Sequence, residues 1–281
     1  PPSCSLRPGA PYYAAIAALK LGCDLSHVFC DVAAAGPIKS YSPELIVHGC
    51  LREGEEGEAA VARQAEAVTR WFPALSALVV GPGLGRDPTL QAVAVRVVES
   101  ASMNSLPCVI DADGLRIMER RPELLRGRRW TVLTPNRPEY ARLMQSCFCE
   151  GHEETEKLRH LALCRALEGP VVVRKGAVDM IGDGAHVLSN QEPGALKRSG
   201  GQGDVLAGTI ATFLSWSKAA SEAGRLPADA YDAPLLAAYA GCLLTRRFSA
   251  AAFARHRRAM TAPDLVGEIG PVFEAFSPAD E

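Results

Sequence analysis

The sequence lacks the patterns that mark several common protein classes. None of its nine cysteines forms a CxxC pair, and none of its six histidines lies in an HExxH motif. Neither a cysteine zinc site nor a zinc-protease site is therefore predicted. No apolar run is long enough to span a bilayer, and the first residues lack a signal-peptide pattern. We predict a protein with reduced thiols in the cytoplasm or mitochondrial matrix, neither secreted nor membrane-bound.

Neither sign of charge dominates, since 30 lysines and arginines stand against 32 aspartates and glutamates, for a net charge of −2. This near balance argues against a nucleic-acid partner. An arginine-rich stretch that includes Arg246, Arg247 and Arg255 is predicted to form the solvent-exposed face of C-terminal helices. No linker rich in proline, glycine and serine divides the 281 residues, so a single domain spanning residues 1–281 is predicted.

From residue 76 onward, the sequence contains short apolar runs that alternate with helical patterns. The runs 77–80, 108–110 and 131–133 are each followed by a loop and then by a helical pattern. Buried parallel strands have this form, with helices covering both faces of the sheet. At 171–188, apolar segments flank an Asp-Gly turn typical of a β-hairpin. We predict an α/β protein with a mostly parallel, doubly wound sheet whose ligands bind beyond the strand carboxyl ends.

Other elements are predicted from the spacing of apolar residues. Strands are expected at 27–30 and 45–47. Helices are expected at 11–21, 89–101, 114–125, 137–145, 205–216 and 228–246, with a shorter one from Pro263.

The GGQGD stretch at 200–204 is the most informative motif. Its glycines allow a tight turn before an apolar helical pattern, so free N–H groups and the positive helix end would face an anion. Asp204 would face the same point, where it could accept a proton from a hydroxyl group during phosphoryl transfer. The alternative is an N-capping aspartate after a glycine turn.

Three further loops follow predicted strands and carry polar residues: GPGLGRD, DADG and TPNRPE. In DADG, Asp111 and Asp113 could hold Mg²⁺ or cap the next helix. In TPNRPE, Asn136 and Glu139 could face the sheet crevice or form a helix cap. Lys175, after a fourth strand, could neutralise a phosphate or be an ordinary exposed lysine. GPGLGRD does not fit GxGxxG, which argues against a Rossmann dehydrogenase.

In this order, GPGLGRD, DADG, LTPNRPE, a strand ending in KG and GGQGD resemble the ATP- or ADP-dependent NAD(P)H-hydrate dehydratase family, a branch of the ribokinase-like superfamily. The resemblance implies a three-layer α/β/α fold. It also implies repair of the hydrated dinucleotides NADHX and NADPHX to NADH and NADPH, with ATP or ADP as co-substrate and Mg²⁺ as cofactor. A ribokinase-like kinase for a small alcohol and a catalytically inactive nucleotide-binding module remain alternatives.

The resemblance also implies roles for individual residues. Asp204 would be the catalytic base, with Gly201 and Gly203 stabilising the transferred phosphoryl group. The hydrated dinucleotide would be bound by Gly83, Asn136, Arg137, Pro138, Glu139, Tyr140, Ala141, Arg142 and Asp204. ATP would be bound by Lys175, Gly176, Ala177, Val178, Asp179, Gly194, Ala195, Leu196, Lys197, Arg198, Ser199, Gly200, Gly201, Gln202 and Gly203.

The sequence departs from the family pattern near its start. Family members usually place a strand and a glycine-serine loop before a Tyr-Thr-Gly, whereas Leu6, Arg7, Pro8 and Gly9 stand there in this sequence. We therefore expect an abbreviated N-terminus, with an unpaired edge or gap in the sheet. The resemblance further suggests a homo-oligomer and functional pairing with an NAD(P)HX epimerase.

Overall fold

The computed structural model describes residues 8–147, 155–227 and 231–277. Its helices are α1 (Gly9–Leu21), α2 (Val32–Tyr41), α3 (Glu58–Thr69), α4 (Pro88–Met103), α5 (Asp113–Arg120), α6 (Arg137–Ser146), α7 (Glu156–Leu167), α8 (Gln202–Glu222), α9 (Ala233–His256) and α10 (Ala262–Phe276). Its strands are β1 (His27–Asp31), β2 (Ile46–Leu51), β3 (Leu78–Val80), β4 (Cys108–Ile110), β5 (Thr131–Leu133), β6 (Val171–Arg174), β7 (Asp179–Gly182) and β8 (Val187–Asn190).

A six-stranded sheet with the order β3-β4-β5-β6-β7-β8 forms the centre of the molecule. Strands β3 to β6 are parallel, and β6, β7 and β8 continue as antiparallel neighbours. Successive side chains point to opposite faces. Ile110 and Leu133 belong to the core shared with α3 to α7, whereas Val109 and Val132 belong to the core shared with α8 and α9. The predicted α/β/α layers, parallel sheet and hairpin are confirmed.

Strands β1 and β2 form a separate parallel pair. Among the described residues, the other edge of β1 and the outer edge of β3 have no strand partner. A cavity of about 650 Å³ lies between them, lined by α1, α4 and α8 as well as the two strands. Leu6 and Arg7, where the sequence departs from the family pattern, lie outside the described residues, and the abbreviated N-terminus stays a prediction.

Helix ends follow local chemistry. Asp87 caps α4 by accepting a hydrogen bond from the Leu90 N–H at 2.9 Å, with Pro88 in the first turn. Helix α5 ends at Arg120, short of the predicted residue 125, because Pro122 disfavours helical backbone before it. Helix α9 continues ten residues beyond the predicted end at Arg246, and the predicted start at 228–230 lies outside the described residues. No helix in the described ranges is long and apolar enough to cross a membrane.

Candidate active site

The loops after β3 and β4 lock together through their backbones. Gly81 has φ of +121°, and a Cβ atom there would lie 1.8 Å from the Asp111 carbonyl oxygen. A Cβ atom on Gly114 would lie 2.6 Å from the Val80 carbonyl oxygen. The Gly85 N–H donates to the Asp113 carboxylate at 3.0 Å. These glycines therefore permit close approach of neighbouring backbone segments, which fixes both loops at the carboxyl ends of the strands.

A cavity of about 320 Å³ opens at this edge of the sheet. It brings together four residues of the predicted substrate site, namely Gly83, Glu139, Arg142 and Asp204. Its other lining residues are Ala10, Arg86, Ala112, Asp113 and Arg116. A polar crevice beyond the carboxyl ends of parallel strands is where an open α/β sheet binds its ligands.

The N-terminus of α8 forms one side of this site. Gly201, the residue before the helix, has φ of +92°, and a Cβ atom there would lie 2.6 Å from the Ala262 side chain and 2.9 Å from the Tyr13 ring. Gly203 has no positive φ, but a Cβ atom there would lie 3.6 Å from the Lys175 Nζ atom. Gly200 shows neither constraint. The turn therefore requires glycine at position 201, as predicted. At position 203, the absence of a side chain leaves space beside the Lys175 ammonium.

A compact group of charges surrounds this space. The Lys175 ammonium donates to the Asp111 carboxylate at 2.8 Å, and Asp111 is only 3% exposed. Burial, and after it the Asp111 charge, raise the pKa of Asp204 to about 7 even though the Lys175 charge lowers it. Burial lowers the pKa of Lys175, but Asp111, Glu139 and Asp204 outweigh burial and raise it. Asp204 can therefore exchange a proton near neutral pH while Lys175 stays charged.

Asn136 and Glu139 form the predicted helix cap. The Glu139 N–H donates to the Asn136 side chain at 3.1 Å, and the Asn136 N–H donates to the Glu139 carboxylate at 2.8 Å. This reciprocal capping box starts α6. Burial raises the pKa of Glu139, although the hydrogen bond from Asn136 and the Lys175 charge lower it. Glu139 thus serves the cap and also faces the cavity, whereas the Asn136 side chain is committed to the cap.

The remaining residues of the predicted substrate segment differ in burial, and only some of them line the cavity. Arg137, Pro138 and Ala141 are exposed and do not line the cavity. Tyr140 is buried in the core, where its ring stacks on His160. Arg142 lines the cavity and pairs with Glu119, whose carboxylate accepts from the arginine Nε at 2.8 Å. The segment therefore contributes Glu139 and Arg142 to the cavity wall.

The predicted nucleotide segment after β6 is tied to α9 by Arg246. Its guanidinium donates to Asp179 at 2.6 Å, to the Gly176 carbonyl at 2.8 Å and to the Glu192 carbonyl at 3.2 Å. Asp179 is buried and also accepts from Asn190 and from the Gly176 N–H. The prediction that Arg246 lies on a solvent-facing helix surface is wrong. It joins two loops that the sequence separates by sixteen positions.

The loop that leads into α8 is held near its middle by α9 and by the residues that follow α9. The Ala195 N–H donates to Ser249 at 3.1 Å, and the Lys197 ammonium donates to the carbonyls of Arg258 and Met260 at 2.6 and 2.7 Å. Gln202 also donates to the Lys197 carbonyl. The Lys197 ammonium therefore satisfies carbonyl groups at the C-terminal end of a helical segment and does not extend into solvent.

Two features of these loops fit a bound nucleotide. The Ser199 hydroxyl oxygen is buried and has no hydrogen-bond partner among the described residues, so its capacity to form a hydrogen bond is unused. Leu196 is 91% exposed and Val178 is 38% exposed, and they supply apolar surface of the kind that a nucleotide base covers. Ala177, Arg198 and Gly176 are exposed as well, while Gly194 is partly buried beside Ser249.

The donor set also fits Mg²⁺ that is held mainly by phosphates. No cluster of three or more histidine, cysteine, aspartate or glutamate side chains in the described parts of the chain is placed to hold a metal ion by itself. Mg²⁺ in nucleotide sites characteristically takes one or two carboxylates and completes its shell with phosphates and water. Glu139 and Asp113 both line the cavity, and each accepts a backbone hydrogen bond through one carboxylate oxygen, so either can supply such a carboxylate. Asp111 is instead paired with Lys175.

We predict that Arg246→Gln weakens ATP binding without abolishing chemistry. Glutamine cannot make the three separate contacts of the guanidinium, so the Gly176 and Glu192 loops lose their common anchor. Losing charged hydrogen bonds of this kind costs about 1.5–3 kcal/mol. The KM for ATP is expected to rise by about tenfold or more, with kcat changed less. Steady-state kinetics would test this, with the exposed Arg225→Gln as control; an unchanged KM for ATP would contradict it.

Sequence reasoning missed three residues of this site. Tyr13 packs against Gly201, and Arg86 and Arg116 line the cavity. Arg86 stands within the GPGLGRD motif, which was a usable signal. Arg116 lies four residues after Ala112, whose φ of +48° is unusual for a residue other than glycine. No sequence pattern reveals such a conformation, since only the fold makes it necessary.

Comparison with known proteins shows the family to which the chain belongs. A sequence model of the family described as NAD(P)H-hydrate dehydratase matches residues 4–271. An ATP-dependent (S)-NAD(P)H-hydrate dehydratase of Bos taurus is 43% identical over 273 residues, which are 96% of this chain and 79% of the relative. A ribokinase-like superfamily protein of Enterococcus faecalis has a similar fold, with a TM-score of 0.73, 20% identity and coverage of 96% and 84% of the two chains.

A second solved structure has the same fold. It is the ADP/ATP-dependent NAD(P)H-hydrate dehydratase of Bacillus subtilis, co-crystallised with ATP/Mg²⁺ and soaked with CoA. Its TM-score to this chain is 0.61 at 20% identity, covering 96% of this chain and 88% of the other. These values show that the two proteins share an architecture.

Proposed function

The chain belongs to the NAD(P)H-hydrate dehydratase family, and we propose that it catalyses the ATP-dependent dehydration of (S)-NADHX and (S)-NADPHX to NADH and NADPH. The observation that carries this proposal is the position of Asp204. It stands in the first turn of α8, lines the cavity, and has a pKa of about 7. A carboxylate so placed beside free helix N–H groups suits proton removal during transfer of a phosphoryl group.

In the first step, the hydroxyl group on the hydrated nicotinamide ring lies against Asp204. The carboxylate accepts the hydroxyl proton as the oxygen attacks the γ-phosphorus of ATP, a new O–P bond forms, and ADP leaves with the electrons of the broken bond. The N–H groups that begin α8 after Gly201 point at the migrating group, and Lys175 adds positive charge beside Gly203. Mg²⁺ would supply positive charge to the phosphates, and Glu139 or Asp113 would hold it through a carboxylate oxygen.

In the second step, the phosphorylated oxygen leaves the ring as inorganic phosphate. The lone pair of the neighbouring ring nitrogen assists cleavage of the C–O bond. The departing phosphate accepts the proton that the adjacent carbon loses, and the electrons of that C–H bond form the double bond of the dihydronicotinamide. Hydroxide is a poor leaving group, whereas phosphate is a good one. This explains why a dehydratase uses the residues of a phosphoryl-transfer site.

ATP is proposed to bind at the loop after β6 and the loop that leads into α8. The buried Ser199 hydroxyl, the loop held by Arg246 and the exposed Leu196 and Val178 side chains support this placement. A homo-oligomer, functional pairing with an NAD(P)HX epimerase, and a location in the cytoplasm or mitochondrial matrix are parts of the same proposal. The choice between ATP and ADP follows from the relatives named ATP-dependent, and ATP is the expected co-substrate.

We predict that kcat rises with pH through about pH 7 and then reaches a plateau. Asp204 acts as a base in its ionised form, and its pKa is raised to about 7 by burial and by Asp111. Below that pH the carboxyl is mostly protonated and cannot accept the proton, so activity falls as pH falls. A pH–rate profile under ATP and substrate saturation checks this. A profile that is flat from pH 5.5 to 8.5, with chemistry shown to be rate-limiting, would contradict a base role for Asp204.

The direct test is an assay with purified NADHX, ATP and Mg²⁺ that follows the absorbance of the restored dihydronicotinamide and the release of inorganic phosphate. Equal amounts of NADH, ADP and phosphate are expected. A stable phosphorylated product that retains labelled phosphate would instead indicate a ribokinase-like kinase. ATP binding by calorimetry without any turnover would indicate an inactive nucleotide-binding module.

A further inference from the structure

Two arginines of the active-site cavity have no role in the chemistry described above. Arg86 follows the GPGLG loop, Arg116 lies on α5, and both line the cavity that contains Asp204. Neither side chain makes an ion pair or hydrogen bond with any residue in the described ranges. Arg142, on the same cavity wall, is instead paired with Glu119 at 2.8 Å. The cavity therefore presents two guanidinium groups whose donors are not used by the protein.

The segments that carry these arginines are rigidly joined. Gly81 and Gly114 allow the loop before Arg86 and the helix of Arg116 to meet backbone to backbone, where any side chain would collide. The Gly85 N–H also donates to Asp113, at the first turn of the same helix. The spacing of the two arginine backbones is thus fixed before a ligand arrives. Such preorganisation favours a bidentate anion contact because little freedom is lost on binding.

The chemistry of the cavity indicates which anion these residues bind. Guanidinium groups match phosphate oxygens in geometry and charge, and paired arginines suit a pyrophosphate. No residue of the predicted nucleotide segments at 175–179 and 194–203 lines this cavity. The arginines therefore lie with the residues expected to contact the hydrated dinucleotide, such as Gly83 and Glu139, and not with those expected to contact ATP.

We propose that Arg86 and Arg116 bind the pyrophosphate of the hydrated dinucleotide while its ring hydroxyl lies against Asp204. This assignment rests on the proposed function. It gives the cavity two chemically distinct parts, a carboxylate that handles the proton and a pair of arginines that anchors the remote anionic part of the substrate. Binding at the remote part then adds to the affinity for the substrate, while the chemical step depends on Asp204.

The test compares Arg86→Gln, Arg116→Gln and the double variant with wild type. Arg120→Gln is the matched control, because Arg120 lies on the same helix, is exposed and does not line the cavity. Each single variant is expected to raise the KM for NADHX by about tenfold and the double variant by about a hundredfold, the range for charged hydrogen bonds. The kcat, the KM for ATP and all constants of Arg120→Gln should stay within about twofold of wild type.

A second measurement separates this assignment from the proposed function. Binding of NADH, the expected product, is titrated by its fluorescence and competed with inorganic pyrophosphate, which requires no turnover. About tenfold weaker NADH binding in each single variant supports the arginine site even if the wild type shows no dehydration. Normal dehydration with an unchanged KM for NADHX and unchanged NADH binding overturns the arginine site alone. A rise confined to the KM for ATP also overturns it, since the arginines would then bind the ATP phosphates.

Discussion

Asp204→Asn is expected to lower kcat at least about a hundredfold, the lower end of what a positioned general base contributes. The amide keeps the size and most of the polarity of the side chain but cannot accept the proton of the ring hydroxyl. Substrate contacts remain, so the KM for NADHX and ATP should change much less than kcat. Steady-state kinetics of the purified variant, with NADH formation and phosphate release followed together, give both constants.

Stability measurements distinguish this role from helix capping. Gly201, and not Asp204, occupies the N-cap position of α8, and the raised pKa of Asp204 means that folding penalises its charged form. Above pH 7 the carboxylate is charged and this penalty is present, so Asp204→Asn should leave Tm unchanged or raise it at pH 8. Asp264→Asn is the control, because Asp264 caps α10 through Thr261 and should lower Tm without lowering kcat. Normal kcat in Asp204→Asn would reduce Asp204 to a structural residue.

The sequence predicts the sheet and its loops well because each rests on local chemistry. Continuous apolar runs such as 108–110 must be buried on both faces, and loops after such strands must meet at one edge of a parallel sheet. The position of Asp204 follows from another local signal, the glycine turn before an apolar helical pattern. Helix α2 was missed because Gly36 and Pro37 lie inside it and normally argue against a helix. Packing of Ala34 and Ile38 into the core outweighs that local preference.

Long-range pairing accounts for most of what the sequence did not show. Arg246 stands in an arginine-rich stretch. Its carboxylate partner, Asp179, is 67 positions away in the sequence. The same holds for Lys175, whose partner Asp111 is 64 positions earlier. The local sequence allows Asn136 to be a helix cap or a ligand contact. The same residues would form a capping box or line the crevice at the sheet edge. Only the fold decides such cases, because it determines which strand ends become neighbours.

Lys175→Met is expected to have the second large effect, on stability as well as on activity. Methionine fills a similar volume but leaves the buried Asp111 carboxylate without its cation. Breaking a buried ion pair by removing one partner typically costs about 3–5 kcal/mol. Lys175 also lowers the pKa of Asp204, so its loss should move the midpoint of the kcat–pH profile above 7. Denaturant unfolding and the pH–rate profile measure the two effects.

The double variant Asp111→Asn/Lys175→Met shows whether these effects arise from the pair. It removes the buried Asp111 carboxylate that Lys175→Met leaves without a cation. It should therefore be more stable than Lys175→Met alone, even though it carries one more substitution. It also removes the Asp111 charge that raises the pKa of Asp204, so the pH midpoint should return toward that of wild type. Lys175 lies beside Gly203, and loss of its charge should keep the high-pH plateau of kcat low in both variants. A double variant no more stable than the single one would refute the pairing argument, and a fully restored plateau would remove Lys175 from the phosphoryl-transfer site.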